Sequence, residues 1–361
     1  MPEHKLICLI GQLGLGGTER QLFLFLSNLD KARWTPLVVA AGADGEWKER
    51  IEALGVPVKS MAGMPTALKP FYFRWLVARH RPELVYSWSF YTNFFRLFAG
   101  PARFLGSLRN ELKTERADLS PFRFKRCLGC PRLVVNSPQL RRNLLDEGVP
   151  EGKVVYIRNI FAADGAMANT DRQRLRAQVR AQYNIPADAI LVAGGGRDAP
   201  WKNFPYFIDS FAAAAAERPE LRALLVGAGP LRHAGHIKEQ GLADKIVLAG
   251  QVPDAKPLLA AADLFFLSSD AEGMPNIVIE AMAAGCAVVA TDVGGVREIL
   301  GEGAAAAGVV VPPGGPEAAT WLARLAADPA AREAFARNGA ERLKLFSPEG
   351  IMPDFLRAMQ A

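Results

Sequence analysis

One ordering of segments recurs along this chain and leaves few folds open to it: an apolar run, a glycine-bearing turn, then an amphipathic stretch. It first appears as Leu6–Ile10, the turn Gly11–Gly17 and the stretch Thr18–Leu29. A strand that turns into a helix and then into another apolar strand is the signature of a parallel sheet, whose neighbouring strands need a crossover of about a dozen residues. Further strands are predicted at Pro36–Ala40, Val56–Ser60, Leu84–Ser87, Phe104–Ser107, Leu133–Asn136 and Val154–Ile157, with helices at Lys69–Arg81 and Pro138–Gly148. An aperiodic stretch rich in Ala, Gly, Asn and Asp at Ala162–Asp171 reads as a linker.

A second series follows a helix at Arg172–Tyr183. Its strands are expected at Ile190–Ala193, Ala223–Val226, Ile246–Ala249, Leu264–Leu267, Ala287–Ala290 and Gly308–Val311, and its helices at Phe204–Glu217, Asn276–Ala284 and Glu317–Ala326. A chain of 361 residues, half of them hydrophobic, can fill two such cores. The predicted fold class is therefore α/β, with two doubly wound domains over residues 1–165 and 166–346.

Charge divides unevenly between these halves. Residues 1–165 hold 24 Lys and Arg against 15 Asp and Glu, whereas 166–361 hold 19 against 22. A basic first half suits a phosphorylated or anionic partner. No apolar run reaches the roughly 18 residues of a membrane span. MPEHKLICLI lacks the basic start and long apolar stretch of a secretion signal, so the expected compartment is the cytoplasm.

Two segments carry the chemistry. Ser268-Ser-Asp-Ala-Glu-Gly-Met-Pro-Asn-Ile-Val-Ile-Glu280 places Glu272 in a loop and Glu280 on the helix that follows. The start of that helix offers unpaired N–H groups and a positive dipole end to a phosphate or sugar oxygen, and Gly273 lets backbone approach a ligand. Gly194-Gly-Gly-Arg-Asp-Ala-Pro-Trp-Lys-Asn sets Arg197 and Lys202 five apart at a strand's carboxyl end, which suits a diphosphate. Leu224-Leu-Val-Gly-Ala-Gly-Pro is a strand and Gly-x-Gly turn found in any wound sheet. Cys127-Leu-Gly-Cys130 and His233-x-x-His236 have metal-ligand spacing, but without companion ligands they read as small apolar residues at a helix end and as a solvated helix face.

Together these residues resemble the retaining nucleotide-sugar glycosyltransferases of glycosyltransferase family 4, or glycosyl transferases group 1. The likeness runs from Gly14-Leu-Gly-Gly-Thr-Glu-Arg through Val135-Asn-Ser-Pro, Gly194-Gly-Gly-Arg197 with Lys202, and the Glu272/Glu280 segment to Asp292-Val-Gly-Gly. It implies a GT-B fold, two Rossmann-like domains facing an interdomain cleft, with the segment after Ser347-Pro-Glu (about 347–361) crossing back to the first domain. It further implies transfer of a sugar from a nucleotide diphosphate sugar, a UDP-sugar by preference, to a hydroxyl of a glycan, lipid-linked or small-molecule acceptor. The anomeric configuration would be retained.

By resemblance, Arg197, Lys202 and Glu272 are catalytic. Gly16, Gly17, Gly273, Met274, Pro275, Asn276, Ile277 and Glu280 bind the donor, with Glu280 on the ribose, and Tyr91 and Arg109 contact sugar or acceptor. Many relatives carry a histidine after the fourth strand, whereas Tyr86-Ser-Trp-Ser-Phe-Tyr-Thr-Asn has none and Tyr91 stands nearest that position. Ile157-Arg-Asn-Ile-Phe replaces the usual Pro-Asn-Gly. No cofactor and no metal is expected, because Arg197, Lys202 and a helix N-terminus can neutralise a departing diphosphate. Glu272 reads as a positioning group rather than a covalent nucleophile, since the second carboxylate of a glycosidase pair has no candidate. A sugar-nucleotide epimerase on the same fold and a catalytically weak sugar-nucleotide-binding subunit are the competing readings. Nucleic acid is not an expected partner. Arginines and lysines interleaved with phenylalanines between Phe94 and Arg126 point to an anionic membrane surface as a partner, with peripheral residence on the inner face.

Overall fold

A computed structural model describes residues 4–161, 167–197, 199–252 and 254–360. Part of the linker expected at 162–171 lies outside them. The chain divides into two compact units, 1–162 with 346–361 and 163–345.

The first unit is built on β1 (His4–Ile10), β2 (Trp34–Ala40), β3 (Val58–Ser60), β4 (Leu84–Ser87), β5 (Arg103–Leu108), β6 (Arg132–Val135) and β7 (Val154–Tyr156). All pair in parallel, in the order β3-β2-β1-β4-β5-β6-β7. Both faces of the sheet are covered, so the inner strands read as unbroken apolar runs rather than alternating ones. One face packs Phe73, Phe90, Phe95 and Phe124 into its core. Against the other lie Phe25, Tyr86 and Trp88, closed by Phe355 from the last helix, Pro348–Gln360.

The second unit contains β8 (Ile190–Gly195), β9 (Leu221–Val226), β10 (Ile246–Gly250), β11 (Leu264–Leu267), β12 (Ala287–Thr291) and β13 (Gly308–Val311), again all parallel, in the order β10-β9-β8-β11-β12-β13. Phe207, Phe211 and Phe266 centre its core. Each sheet thus runs outward in one direction for three strands and then reverses beside its first strand. This is the Rossmann-like order, and it opens a crevice beyond the strand carboxyl ends at the reversal point, between β1 and β4 in one unit and β8 and β11 in the other.

Candidate active site

At the reversal point of the second unit, β8 ends in glycines for a steric reason. A Cβ on Gly194 would stand 2.4 Å from the Phe207 ring, and one on Gly195 would stand 2.4 Å from the Val226 carbonyl oxygen. The chain then makes a 3₁₀ turn, Pro200–Lys202, and enters the helix Phe204–Glu217 through Asn203. Asn203 is left-handed (φ 46°), caps Tyr206 N with its side-chain oxygen, and donates its amide to Asp270 Oδ1 at 2.9 Å. Asp270 N donates to the Trp201 carbonyl, and Ser268 Oγ to the Lys202 carbonyl. These bonds tie the loop after β8 to the loop after β11.

The tie brings two charges together. Lys202 Nζ donates to Glu272 Oε1 at 2.6 Å, with the side chains only 14% and 12% exposed. Ser269 Oγ donates to the same oxygen at 2.8 Å. A third loop props the carboxylate from behind: Gly295 N donates to the Gly273 carbonyl, and Thr291 Oγ1 to the Ser269 carbonyl. Gly294 (φ 54°) makes the close approach, since a Cβ there would lie 2.3 Å from the carbonyl oxygens of both Glu272 and Gly273. The helix Asn276–Ala283 starts directly after this backbone, with Pro275 as its N-cap residue.

Gly273, Met274 and Pro275 are buried beneath the loop, while Asn276, Ile277 and Glu280 are half-buried along the helix. Asn276 and Glu280, four apart, share one helix face. Arg197 and Lys202, both expected on the donor diphosphate, stand in different surroundings. Arg197 is exposed and has no hydrogen bond or ion pair among the described residues, whereas Lys202 is paired within the site. Sequence reasoning also missed Ser269, Asn203 and Asp270 as supports. Their signals were the Ser-Ser-Asp run and an Asn placed one residue before a helical pattern.

In the first unit, Tyr91 lies over the turn after β1: a Cβ on Gly11 would be 2.0 Å from its hydroxyl. Gly11 N donates to Ser89 Oγ at 3.0 Å. Burial pushes the Tyr91 phenol up to about 12, with Glu19 and Glu115 adding to the effect, so it remains a neutral donor at physiological pH. Gly16 is the N-cap of the helix Gly17–Asn28, and a Cβ there would lie 2.2 Å from Glu19 Oε2. Arg109 is only 5% exposed, so it lies inside the unit instead of on an acceptor surface. Its guanidinium sits 4.4 Å from the Trp88 ring centroid and donates to Tyr86 Oη and Asn159 Oδ1.

Among the described residues, no group of three or more His, Cys, Asp or Glu is placed to hold a metal ion. His236 Nε2 instead pairs with Asp209 Oδ1 at 2.7 Å. Cys127 and Cys130 are both buried, and burial pushes their thiols up to about 12. No helix among the described residues is long and apolar enough to cross a membrane.

Residues 15–162 match Glycosyltransferase family 4, and residues 187–328 match Glycosyl transferases group 1. LpsE of Rhizobium meliloti (strain 1021), a lipopolysaccharide core biosynthesis glycosyltransferase, is 25% identical over 351 residues, which cover 95% of this chain and 96% of LpsE. A D-inositol 3-phosphate glycosyltransferase of Kineococcus radiotolerans is 32% identical over 257 residues, 63% of this chain and 58% of that protein. Among solved structures, Anabaena HepE in complex with UDP superposes with a TM-score of 0.83 at 22% identity, covering 99% of both chains. Sucrose-phosphate synthase from Thermosynechococcus elongatus gives 0.79 at 24% identity over 98% of both. These structural likenesses establish the GT-B fold.

Proposed function

Since this chain belongs to the GT-B glycosyltransferases of glycosyltransferase family 4 and glycosyl transferases group 1, we propose that it moves a sugar from a UDP-sugar to an acceptor hydroxyl, with retention and without a metal ion. The observation that carries this reading is the Lys202–Glu272 pair, held at the reversal point of the second sheet beside the start of the helix Asn276–Ala283. HepE, solved with UDP and with UDP-glucose, supports the choice of nucleotide.

In this reading Lys202 stabilises charge that builds on the diphosphate as the glycosidic bond breaks, and exposed Arg197 closes on it from solvent. The first-turn N–H groups at Asn276 and Ile277 add fixed dipoles aimed at the same charge. Glu272 positions the transferred sugar, with Ser269 holding its carboxylate still, while Gly273, Met274 and Pro275 shape the floor and Glu280 meets the ribose hydroxyls. In the first unit Gly16 and Gly17 are assigned to donor binding, and Tyr91 to contact with sugar or acceptor. The acceptor is a hydroxyl on a glycan or lipid-linked molecule, a class that LpsE's role in lipopolysaccharide core biosynthesis supports.

Purified protein incubated with UDP-glucose and UDP-galactose should release UDP in an acceptor-dependent manner. The product's anomeric proton should report the donor's configuration, and EDTA should leave the rate essentially unchanged. Acceptor-independent release of a free isomerised sugar would establish the epimerase instead, and an inverted linkage or strict dependence on Mg²⁺ or Mn²⁺ would overturn the mechanism.

A further inference from the structure

Three adjoining elements of the first unit turn one layer of its core inward and a different surface outward. The helix Lys69–His80, the 3₁₀ run Phe90–Phe98 and the helix Pro121–Leu128 bury Phe73, Phe90, Phe95 and Phe124 in the same core cluster, and the 3₁₀ run packs against both helices. Their outer faces therefore lie on one side of the unit. Eight large hydrophobic side chains are exposed among the described residues, and five of them cluster here: Leu68 (54%), Phe71 (69%), Trp75 (57%), Leu97 (44%) and Phe122 (61%).

Aromatic contacts run continuously across the face. Phe71 meets Phe98 edge-on at 6.5 Å, Phe98 meets Phe94 at 6.2 Å, and Arg123 lies 5.5 Å from the Phe94 ring centroid. Arg126 covers Phe122 at 5.1 Å. Within the three elements the charged side chains have one sign. Arg74, Arg79, Arg96, Arg123, Lys125 and Arg126 all belong to these elements, while residues 61–82, 84–110 and 119–145 contain no Asp or Glu.

We propose that this face docks the protein on an anionic lipid surface. Protruding Trp and Phe side chains set among Lys and Arg match the chemistry of a bilayer interface, where apolar rings enter the headgroup boundary and cations meet lipid phosphates. A second copy of the chain fits poorly, because two such faces would oppose cation to cation, and none of the three elements carries a carboxylate. The face also has a functional bearing. Lys69 Nζ donates to the carbonyl of Ala41, just past the end of β2, so the start of its helix stands at the carboxyl ends of the strands, the same end as Gly11 and Tyr91. Docking there brings that end of the first unit to the membrane and favours an acceptor carried on a lipid.

The test is co-sedimentation of the purified full chain with vesicles of phosphatidylglycerol and phosphatidylcholine, against phosphatidylcholine alone. Binding is expected only to the anionic vesicles, falling with added salt as the screening length shortens. Reversing Arg123, Lys125 and Arg126 to Glu should weaken it more than tenfold, and so should F71S/W75S/F122S. Brominated phosphatidylglycerol should quench tryptophan emission, and Trp75→Phe should remove most of that quenching. Circular dichroism and UDP-dependent thermal stabilisation, expected to be unchanged in each variant, separate loss of docking from loss of folding or of donor binding. Equal recovery in the supernatant with both vesicle types at low salt would overturn the proposal. Binding to a single-stranded RNA homopolymer in place of vesicles, or a dimer abolished by Phe122→Ser, would overturn it too.

Discussion

Lys202 and Glu272 place opposite charges where little water reaches them, so each depends on the other. Removing one leaves a desolvated charge behind, which costs more than the net worth of the pair. Glu272→Gln and Lys202→Met should each destabilise the second unit by about 1–3 kcal/mol. The double variant should cost less than the sum in urea titrations, because neither charge is then stranded. Each single change should also lower turnover by roughly 10²–10³-fold if the pair governs diphosphate departure. The four cysteines obey the same electrostatics without any catalytic consequence. Burial raises the thiols of Cys127, Cys130 and Cys286 from 9.0 to about 12 and that of Cys8 further. These groups stay neutral in the folded chain, so their contribution to stability is intact below pH 9 and fades as pH rises toward 12, where the unfolded chain alone gains by ionising. At pH 8 a thiol reagent should modify none of them quickly in the native protein and all four in guanidinium. Each glutamate and lysine of the site was legible from its motif, but their contact was not. It requires β8 and β11, far apart in sequence, to become neighbours, and a crossover sets that adjacency rather than any local pattern.

Short loops in which glycine and asparagine take conformations other residues resist hold the site's backbone. Asn203 combines a left-handed backbone, a helix cap and the link to Asp270. Asn203→Ala should cost about 1–2 kcal/mol, whereas Asn203→Gly, which tolerates the same φ, should recover part of that loss in thermal denaturation. Gly294→Ala should act on turnover more than on melting temperature, since its Cβ would push against the carbonyls of Glu272 and Gly273. Near-normal kinetics in that variant would show that the third loop does not set the carboxylate's place. The unbroken apolar strands Leu264–Leu267 and Gly308–Val311 and the helix Phe204–Glu217 could be read from the sequence to the residue, because each has one consistent period between clear stops. The helix Pro329–Arg342 could not, as it buries only Gly339 and carries almost no amphipathic signal. The 3₁₀ run Phe90–Phe98 does follow a helical period, but it is short and lies between two closely spaced strands, so its pattern is easily passed over as a loop. The exposed position of Arg197 was hidden for a related reason: spacing along the chain says nothing about which of two cations a turn carries into solvent.

Over the whole molecule, two wound sheets share one organisation, and their alternating segments made both legible, since consecutive strands and crossovers leave a continuous record in the sequence. The first unit, however, is not continuous. Its core is completed by Phe355, whose ring lies 5.3 Å from Phe25 and 5.9 Å from Trp88. Phe355→Ala should destabilise that unit by about 3–5 kcal/mol, read from the buried Trp88 during urea unfolding, while UDP stabilisation of the second unit persists. Phe355→Leu should cost much less. The arrangement also bears on how the chain is made. Synthesis normally lets an N-terminal domain fold first, yet here residues 163–345 are all synthesised before the segment that closes the first unit. On the ribosome the second unit therefore emerges in full before residues 346–361, and until that segment follows, the aromatic face of Phe25, Tyr86 and Trp88 waits without the helix that covers it.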